Sequence, residues 1–553
     1  MMRAGHRIAA AAWAIAAIWS GTAQAAPPPA QPKLVVAIAI DQFSAELFQR
    51  YRASFTGGLK RLSDGIAFTG YQSHAATETC PGHSTILTGR HPAATGIVAN
   101  TWFDTKSGSS IYCVAVRGTA DPDARGPQNL RVPTLGEWLK QAEPQARVVT
   151  ISGKDRAAIM MAGHKADAVY WWNDGVGFTT SPYAGPATPA VTLPAEAFNK
   201  ALFARWKASP PKLWPTEIPA ACQALQQPHT FGKMTLSGKV PPDLALTVES
   251  GDFLHRTDFQ EQLRGSSIFD SMTIDFADQT IDRLKLGHGP ATDLLAVSLS
   301  STDYIGHRYG NGGAEMCVQM AALDQTLGRF LAKLDGLGVP YIVALTADHG
   351  GIDAAERASE HGLDAHRVDP SAFVKRLNDA LKAELKLDFE AIVGDDPQQL
   401  SINVGPDEAL RAKVRDASVA WLKRQPEVAA VFTADEIAAA VPPAGKPADQ
   451  LTVAERFHES YDKERSGDIQ VQFTQYATLG MPRGPGDTVA GHGSPWDYDR
   501  RVPILFWWPG VTGEDRKEPI ETVDIAPTLA AIAHVPAPEV DGKCLQAVAG
   551  SCQ

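Results

Sequence analysis

Four apolar runs along the chain share one pattern. Leu34-Val35-Val36-Ala37-Ile38-Ala39-Ile40 is apolar without alternation, as a strand buried on both faces is, and it ends at Asp41. Arg147–Ile151 leads into Ser152-Gly153-Lys154, Leu294–Leu299 into Ser301-Thr302-Asp303, and Tyr341–Leu345 into Ala347-Asp348-His349. Between the last two runs, Met316, Met320, Leu323, Leu327, Phe330 and Leu334 recur at helical spacing, which predicts a helix over Ala314–Leu334. Strand, helix and strand in that order predict an α/β fold with a mostly parallel central sheet and helices on both faces. Ligands of such sheets bind beyond the carboxyl ends of the strands, and the polar residues just named fall there. Two long segments, roughly 165–290 and 355–485, break the alternation and read as two inserted cap segments on a single catalytic domain covering residues 26–553.

The N-terminus adds a destination. Arg3, His6 and Arg7 precede the apolar run Ile8–Trp19, and Ala23-Gln24-Ala25 offers small residues to a peptidase, so residues 1–25 read as a secretory signal peptide. The run is too short to span a bilayer, and no later stretch is long and apolar enough, so a periplasmic or secreted protein without a membrane span is expected. The formal charge is −11, and residues 1–25 hold two arginines or lysines and no acid, so the mature chain carries −13. Such a surface repels nucleic acid and gives no general attraction for a phosphate ester, so any anion site must be locally positive. Six cysteines without a CxxC pair suggest disulfides in an exported chain, with Cys544–Cys552 the simplest pair because of their nearness; buried free thiols are the alternative.

Candidate chemistry sits in a few islands: Asp41; Thr77-Glu78-Thr79-Cys80-Pro81-Gly82-His83-Ser84-Thr85; Asp303-Tyr304-Ile305-Gly306-His307; Asp348-His349; and His492 in Gly491-His492-Gly493-Ser494. Carboxylates and imidazoles suit Zn²⁺. Asp303 and His307, four apart, can share one face of a helical turn and one ion. Any one of the 15 histidines alone reads as a surface or core residue, and a lone Asp as a helix cap; the set at one sheet edge is what points to metal. Pro81 suits the first turn of a helix, which would place Thr79 at a helix N-terminus where an anion is stabilised. A threonine hydroxyl becomes a nucleophile when a bound metal deprotonates it.

These residues, with Thr522-Val523-Asp524-Ile525-Ala526-Pro527-Thr528 and Val540-Asp541-Gly542 near the end, resemble the motifs of the alkaline phosphatase superfamily. Their order resembles the branch of nucleotide pyrophosphatases/phosphodiesterases and threonine-nucleophile bacterial alkaline phosphatases, from Asp41 to about Gly542. The closing motif looks like that superfamily's last helix and strand. The resemblance implies an alkaline-phosphatase-like fold and two Zn²⁺ per chain. Asp41, Asp348 and His349 would hold one zinc with the Thr79 oxygen, and Asp303, His307 and His492 the other. Asn100 would bind a phosphoryl oxygen. Lys154-Asp155-Arg156 resembles the Lys-x-Arg pair of the monoesterases, and residues two apart in an extended segment would aim both cations at one phosphate. The resemblance thus implies hydrolysis of small-molecule phosphate monoesters through a phosphothreonine. A diesterase or nucleotide pyrophosphatase with the same metals is the nearest alternative, and a non-catalytic exported zinc- or phosphate-binding protein is one of another class. No third-metal motif of the serine-type alkaline phosphatases is found, and Cys80-Pro81-Gly82-His83 lacks the spacing and arginine of a sulfatase. The sequence leaves the physiological substrate and the oligomeric state open.

Overall fold

The computed structural model describes residues 27–29, 31–181, 189–242, 253–394, 396–484 and 486–552. The signal-peptide reading of residues 1–25 lies outside the described residues. The apolar runs become the strands of one nine-stranded sheet: β1 (Leu34–Ile40), β2 (Ile66–Tyr71), β3 (Val148–Ser152), β4 (Ala168–Asn173), β5 (Gly177–Thr179), β6 (Asp293–Leu299), β7 (Tyr341–Thr346), β8 (Arg501–Trp507) and β9 (Glu514–Glu521). Their order is β9-β2-β8-β7-β1-β6-β3-β4-β5. From β7 to β4 every neighbouring pair is parallel. β8 runs against both its neighbours and β5 against β4. Every residue of β1, β6 and β7 is buried, which is why these strands show no apolar–polar alternation.

Register decides where the chemistry emerges. Ala39 of β1 pairs with Ser298 of β6 and with Thr346 of β7, so the chain leaves all three strands at the same edge. One group of helices packs together on one side: α1 (Thr79–Thr88), α2 (Asp155–Ala162), Leu135–Ala142 and Ile525–Ile532. A second group, with Ser267–Leu284 and the predicted long helix, here α4 (Ala314–Asp335), packs on the other. α4 buries Met316, Met320, Leu323, Leu327, Phe330 and Leu334 as its spacing requires. α3 (Ser301–Tyr309) leads from β6 toward α4.

The boundaries differ from the sequence reading in two places. Residues 168–179, read as part of the first inserted cap, are the edge strands β4 and β5 of the main sheet. They are short and Trp-rich, and only pairing with β3 distinguishes them from loop. The segment after 355 builds its own four-stranded sheet from Ile392–Val393, Gln399–Ile402, Ile469–Phe473 and Val428–Thr433. It carries a separate core that includes Phe373, Leu377, Leu400 and Val471. Near the C-terminus Ile525–Ile532 is helical, but Val540-Asp541-Gly542 forms no strand; the Asp541 and Gly542 N–H groups instead both donate to Gly89 O at 3.0 Å. Disulfides join Cys80 to Cys113, Cys222 to Cys317 and Cys544 to Cys552. Among the described residues no helix is long and apolar enough to cross a membrane.

Candidate active site

The edge shared by β1, β6 and β7 gathers the acidic and imidazole groups. Asp41 follows β1 directly, Asp348 and His349 follow β7, and α3 carries Asp303 in its first turn and His307 one turn on. His492 arrives from the loop after the second insertion. Thr79 is the first residue of α1, with Glu78 as its N-cap residue. Gly82 lets that helix approach: a Cβ there would lie 2.0 Å from Asp348 O.

All three histidines are oriented alike. Nδ1 of His307 lies 2.8 Å from Ala490 O, that of His349 2.8 Å from Gly350 O, and that of His492 2.8 Å from Thr77 O. A carbonyl only accepts, so each Nδ1 donates and each ring turns Nε2 inward, where the neutral form offers a lone pair. Those lone pairs face carboxylate oxygens. His307 and His492 Nε2 lie 3.3 and 3.4 Å from Asp303 Oδ1, and His349 Nε2 lies 3.4 Å from Asp41 Oδ1 and from Asp348 Oδ2. Asp41 Oδ1, Asp303 Oδ1 and His349 Nε2 are buried without a hydrogen-bond partner. Acceptors that face one another in a buried space call for a cation between them, so the donor set fits a divalent metal.

Asp303, His307 and His492, the set the family resemblance implies, lie together as one potential ligand group. Asp41 and His349 also converge with Asp303, while Asp348 Oδ2 lies 3.4 Å from His349 Nε2. Asp348 has further neighbours, its Oδ2 lying 3.0 Å from His83 Nδ1 and its Oδ1 accepting the Gln42 N–H at 3.2 Å.

The charges are unevenly held. Burial, with the neighbouring Asp303 and Asp348, pushes Asp41 up to about 6. Burial would raise Asp303 too, but Lys154 and His307 hold its carboxyl well below the usual range. Burial and the nearby His492 push His349 well below the ordinary histidine value, keeping it in the neutral, ligating form. Burial works against a charged His492, yet its contact with Asp303 raises it to about 9. Loss of that proton would give the neutral Nε2 that ligates a cation beside Asp303.

Lys154 and Arg156 both reach this edge, though not by the expected geometry. Lys154 is the extended N-cap residue of α2 and Arg156 already lies in the helix, so the turn, not strand alternation, brings them to one side. Lys154 Nζ sits between two carboxylates, 2.6 Å from Asp41 Oδ2 and 2.6 Å from Asp303 Oδ2. An Arg156 terminal nitrogen lies 3.5 Å from Thr79 Oγ1. Asn100 accepts the Cys80 N–H on Oδ1 at 2.8 Å, which leaves its NH₂ group as the end able to donate to a ligand. The Cys80–Cys113 disulfide and the Cys113 N–H bond to Asn100 O at 2.9 Å tie these neighbours together. A cavity of about 810 Å³ opens beyond Lys154 and Arg156, with Tyr304, Trp171, Arg264 and Thr180 in its wall.

Sequence reasoning passes over three neighbours. Glu78 accepts the Asn100 N–H on Oε2 at 2.8 Å. Tyr304 lies with its ring centroid 4.9 Å from Lys154 Nζ. Tyr112 donates to Asp155 Oδ1 at 2.6 Å, beside Arg156. Glu78 and Tyr304 are adjacent to named site residues, which is the only signal they carry; Tyr112 carries none.

Comparison with known proteins points the same way. A profile of the family described as type I phosphodiesterase / nucleotide pyrophosphatase matches residues 35–495. The chain is 41% identical over 545 residues to alkaline phosphatase PhoD of Zymomonas mobilis subsp. mobilis, covering 95% of this chain and 88% of that protein. It is 41% identical over 534 residues to alkaline phosphatase PhoK of a Sphingomonas species, covering 94% and 92%. The crystal structure of wild-type alkaline phosphatase PafA matches with a TM-score of 0.81 at 28% identity, covering 95% of this chain and 100% of that one.

Proposed function

Because the chain belongs to the type I phosphodiesterase / nucleotide pyrophosphatase family, we propose that it is an exported, zinc-dependent alkaline phosphatase that hydrolyses small-molecule phosphate monoesters with Thr79 as nucleophile. The observation that carries this reading is the placement of the Thr79 hydroxyl 3.5 Å from the Arg156 guanidinium, at the edge that also gathers Lys154, the five Asp and His residues of the two candidate groups, and Asp348 beside His349. Asp303, His307 and His492 would hold one Zn²⁺, and Asp41, Asp348 and His349 the other, with the Thr79 oxygen. Two such ions supply Lewis-acid charge and lower the pKa of bound hydroxyl groups and water.

The chain's own residues do the rest. Thr79 Oγ1, having given up its proton to solvent, attacks phosphorus in line; the new O–P bond forms as the bond to the alcohol breaks, and the leaving oxygen takes up a proton from solvent, leaving phosphothreonine and the released alcohol. Water then cleaves the phosphothreonine to inorganic phosphate and restores the hydroxyl. The N-terminus of α1 favours the charge that develops on the Thr79 side. The transition state is loose, so holding the phosphoryl oxygens is the main task, and Asn100, Lys154 and Arg156 are the donors for it. The cavity beyond Lys154 and Arg156 has room for the alcohol. The leader-like residues 1–25 and the three disulfides support export.

One observation favours the diesterase alternative: Lys154 Nζ is engaged by Asp41 Oδ2 and Asp303 Oδ2, each at 2.6 Å, so it would serve a phosphate only once cations take over those carboxylates. Two cations aimed at the additional oxygen of a monoester dianion gain charge-assisted hydrogen bonds of roughly 1.5–3 kcal/mol each. Lys154→Ala/Arg156→Ala should therefore lose about 10²–10⁴ in monoester kcat/KM while diester hydrolysis changes far less. A wild-type enzyme faster on diesters than on monoesters overturns the reading. No phosphate release from an aryl phosphate by zinc-loaded protein would favour a binding protein.

A further inference from the structure

Gln42 follows Asp41 and has a conformation that side-chain-bearing residues rarely adopt. Its φ of 63° places it in the left-handed region, at a cost of roughly 1–2 kcal/mol. Such an outlier persists where its surroundings over-determine it. Its side chain is wholly buried, and neither Oε1 nor Nε2 has a hydrogen-bond partner, although buried amides are nearly always bonded.

The slot around it shows what the side chain touches. A Cβ on Gly306 would lie 1.8 Å from Gln42 Oε1, and a Cβ on Gly351 would lie 2.7 Å from Gln42 Cγ. Gly306 stands between Asp303 and His307 on α3, and Gly351 comes two residues after His349. The Gln42 N–H donates to Asp348 Oδ1 at 3.2 Å. Asn311, two residues past α3, closes the slot: its Nδ2 donates to Gly351 O at 3.1 Å, and its Oδ1 faces the same point beside Gly306. One residue thus contacts every segment that carries the Asp41, Asp303/His307 and Asp348/His349 groups.

We infer that Gln42 is a positioning residue whose side chain wedges between Gly306 and Gly351 and sets the separation of the two proposed metal-ligand sets. The inference rests on the two-metal reading above. Gln42→Ala empties the wedge but keeps a Cβ, so the backbone cost is unchanged; Gln42→Met keeps the length. The test is equilibrium zinc affinity, by competition with a chromophoric chelator, alongside the melting temperature of the metal-free protein. Gln42→Ala should weaken zinc about 10–100-fold, as loss of support around ligands does, with the metal-free melting temperature little changed. Gln42→Met should recover most of that affinity. Gly306→Ala should weaken zinc by a similar factor in the wild type, because its methyl strikes Gln42. In the Gln42→Ala background the same change should cost less than about threefold, since the clash at 1.8 Å with Gln42 Oε1 is gone and only the 2.9 Å approach to Asn311 Oδ1 remains. Wild-type affinity in Gln42→Ala, or losses that simply add in the double variant, would overturn the wedge. Should Gln42→Ala fail to fold, Gln42→Met and Gly306→Ala decide the matter: full affinity in Gly306→Ala overturns it. A wild-type protein that binds no zinc overturns the two-metal reading as well.

Discussion

At the scale of single residues, the proposed mechanism turns on one hydroxyl, that of Thr79. Thr79 is the first residue of α1, its neighbour Cys80 is bound through disulfide and N–H to the Cys113 and Asn100 segment, and Arg156 faces it. Removing the hydroxyl leaves the Asp and His groups in place. Thr79→Ala should therefore lose on the order of 10³–10⁶ in kcat, as nucleophile removal does elsewhere, with zinc content unchanged by metal analysis. Thr79→Ser should retain much of the rate because a hydroxyl remains. Turnover in Thr79→Ala at the wild-type rate would show that Thr79 forms no covalent bond to phosphorus. The candidate groups themselves are legible one by one in the sequence, since Asp and His declare their chemistry by type. The role of Glu78, Tyr112 and Gln42 is not, because none belongs to a spacing pattern and each acts through a neighbour distant in the chain.

At the scale of elements, the segments around the site are joined by buried polar contacts that respond to pH. His91 Nε2 lies 3.7 Å from Glu459 Oε2, beyond helix Val453–His458 of the second insertion, and 3.4 Å from Glu521 Oε2, at the end of β9. Burial works against a charged imidazole here, but Glu459 and Glu521 raise His91 above its ordinary value of 6.5. A histidine raised in the folded state adds stability that is complete below its unfolded pKa and is lost as pH rises through the folded one. Melting temperature should thus decline above about 6.5, and His91→Gln should flatten that part of the profile. An equal alkaline slope in both proteins would exclude His91 as its source. The Cys80–Cys113 bridge closes 33 residues; Cys80→Ser/Cys113→Ser should cost about 3–4 kcal/mol on loop-closure grounds, read by denaturant unfolding under oxidising conditions. No loss would mean the bridge does not form in the native protein.

At the scale of the whole molecule, two large cores stand out among the described residues, beside two small clusters. The main sheet and its helices share one, and the second insertion builds another around Phe373 and Val471. The two bodies meet beside the site, where Gln398 Nε2 donates to Gly493 O at 3.2 Å, next to His492. Phe373 is fully buried, so Phe373→Ala should destabilise the inserted lobe by about 3–5 kcal/mol. Calorimetry of the variant should show an early transition separate from that of the main sheet. A single transition shifted as a unit would mean that the lobe and the sheet unfold together.

The sequence by itself determined the class of the fold and most of the chemistry. Short unbroken apolar runs that end in polar clusters read as strands buried on both faces, the 3.6-residue period of α4 reads as an amphipathic helix, and strand ends are where Asp41, Asp303 and Asp348 stand. These are local properties, set by the covalent order of the chain and by water's exclusion from apolar surface. Tertiary structure alone decided what depends on distance between segments far apart in the chain. Register across β1, β6 and β7 brings the carboxylates to one edge. The turn into α2 aims Lys154 at Asp41 and Asp303. The edge strands β4 and β5 are recruited from what reads as an insertion, and the slot between Gly306 and Gly351 receives Gln42. None of these has a periodicity, because each is a relation between side chains that meet only after the core has packed.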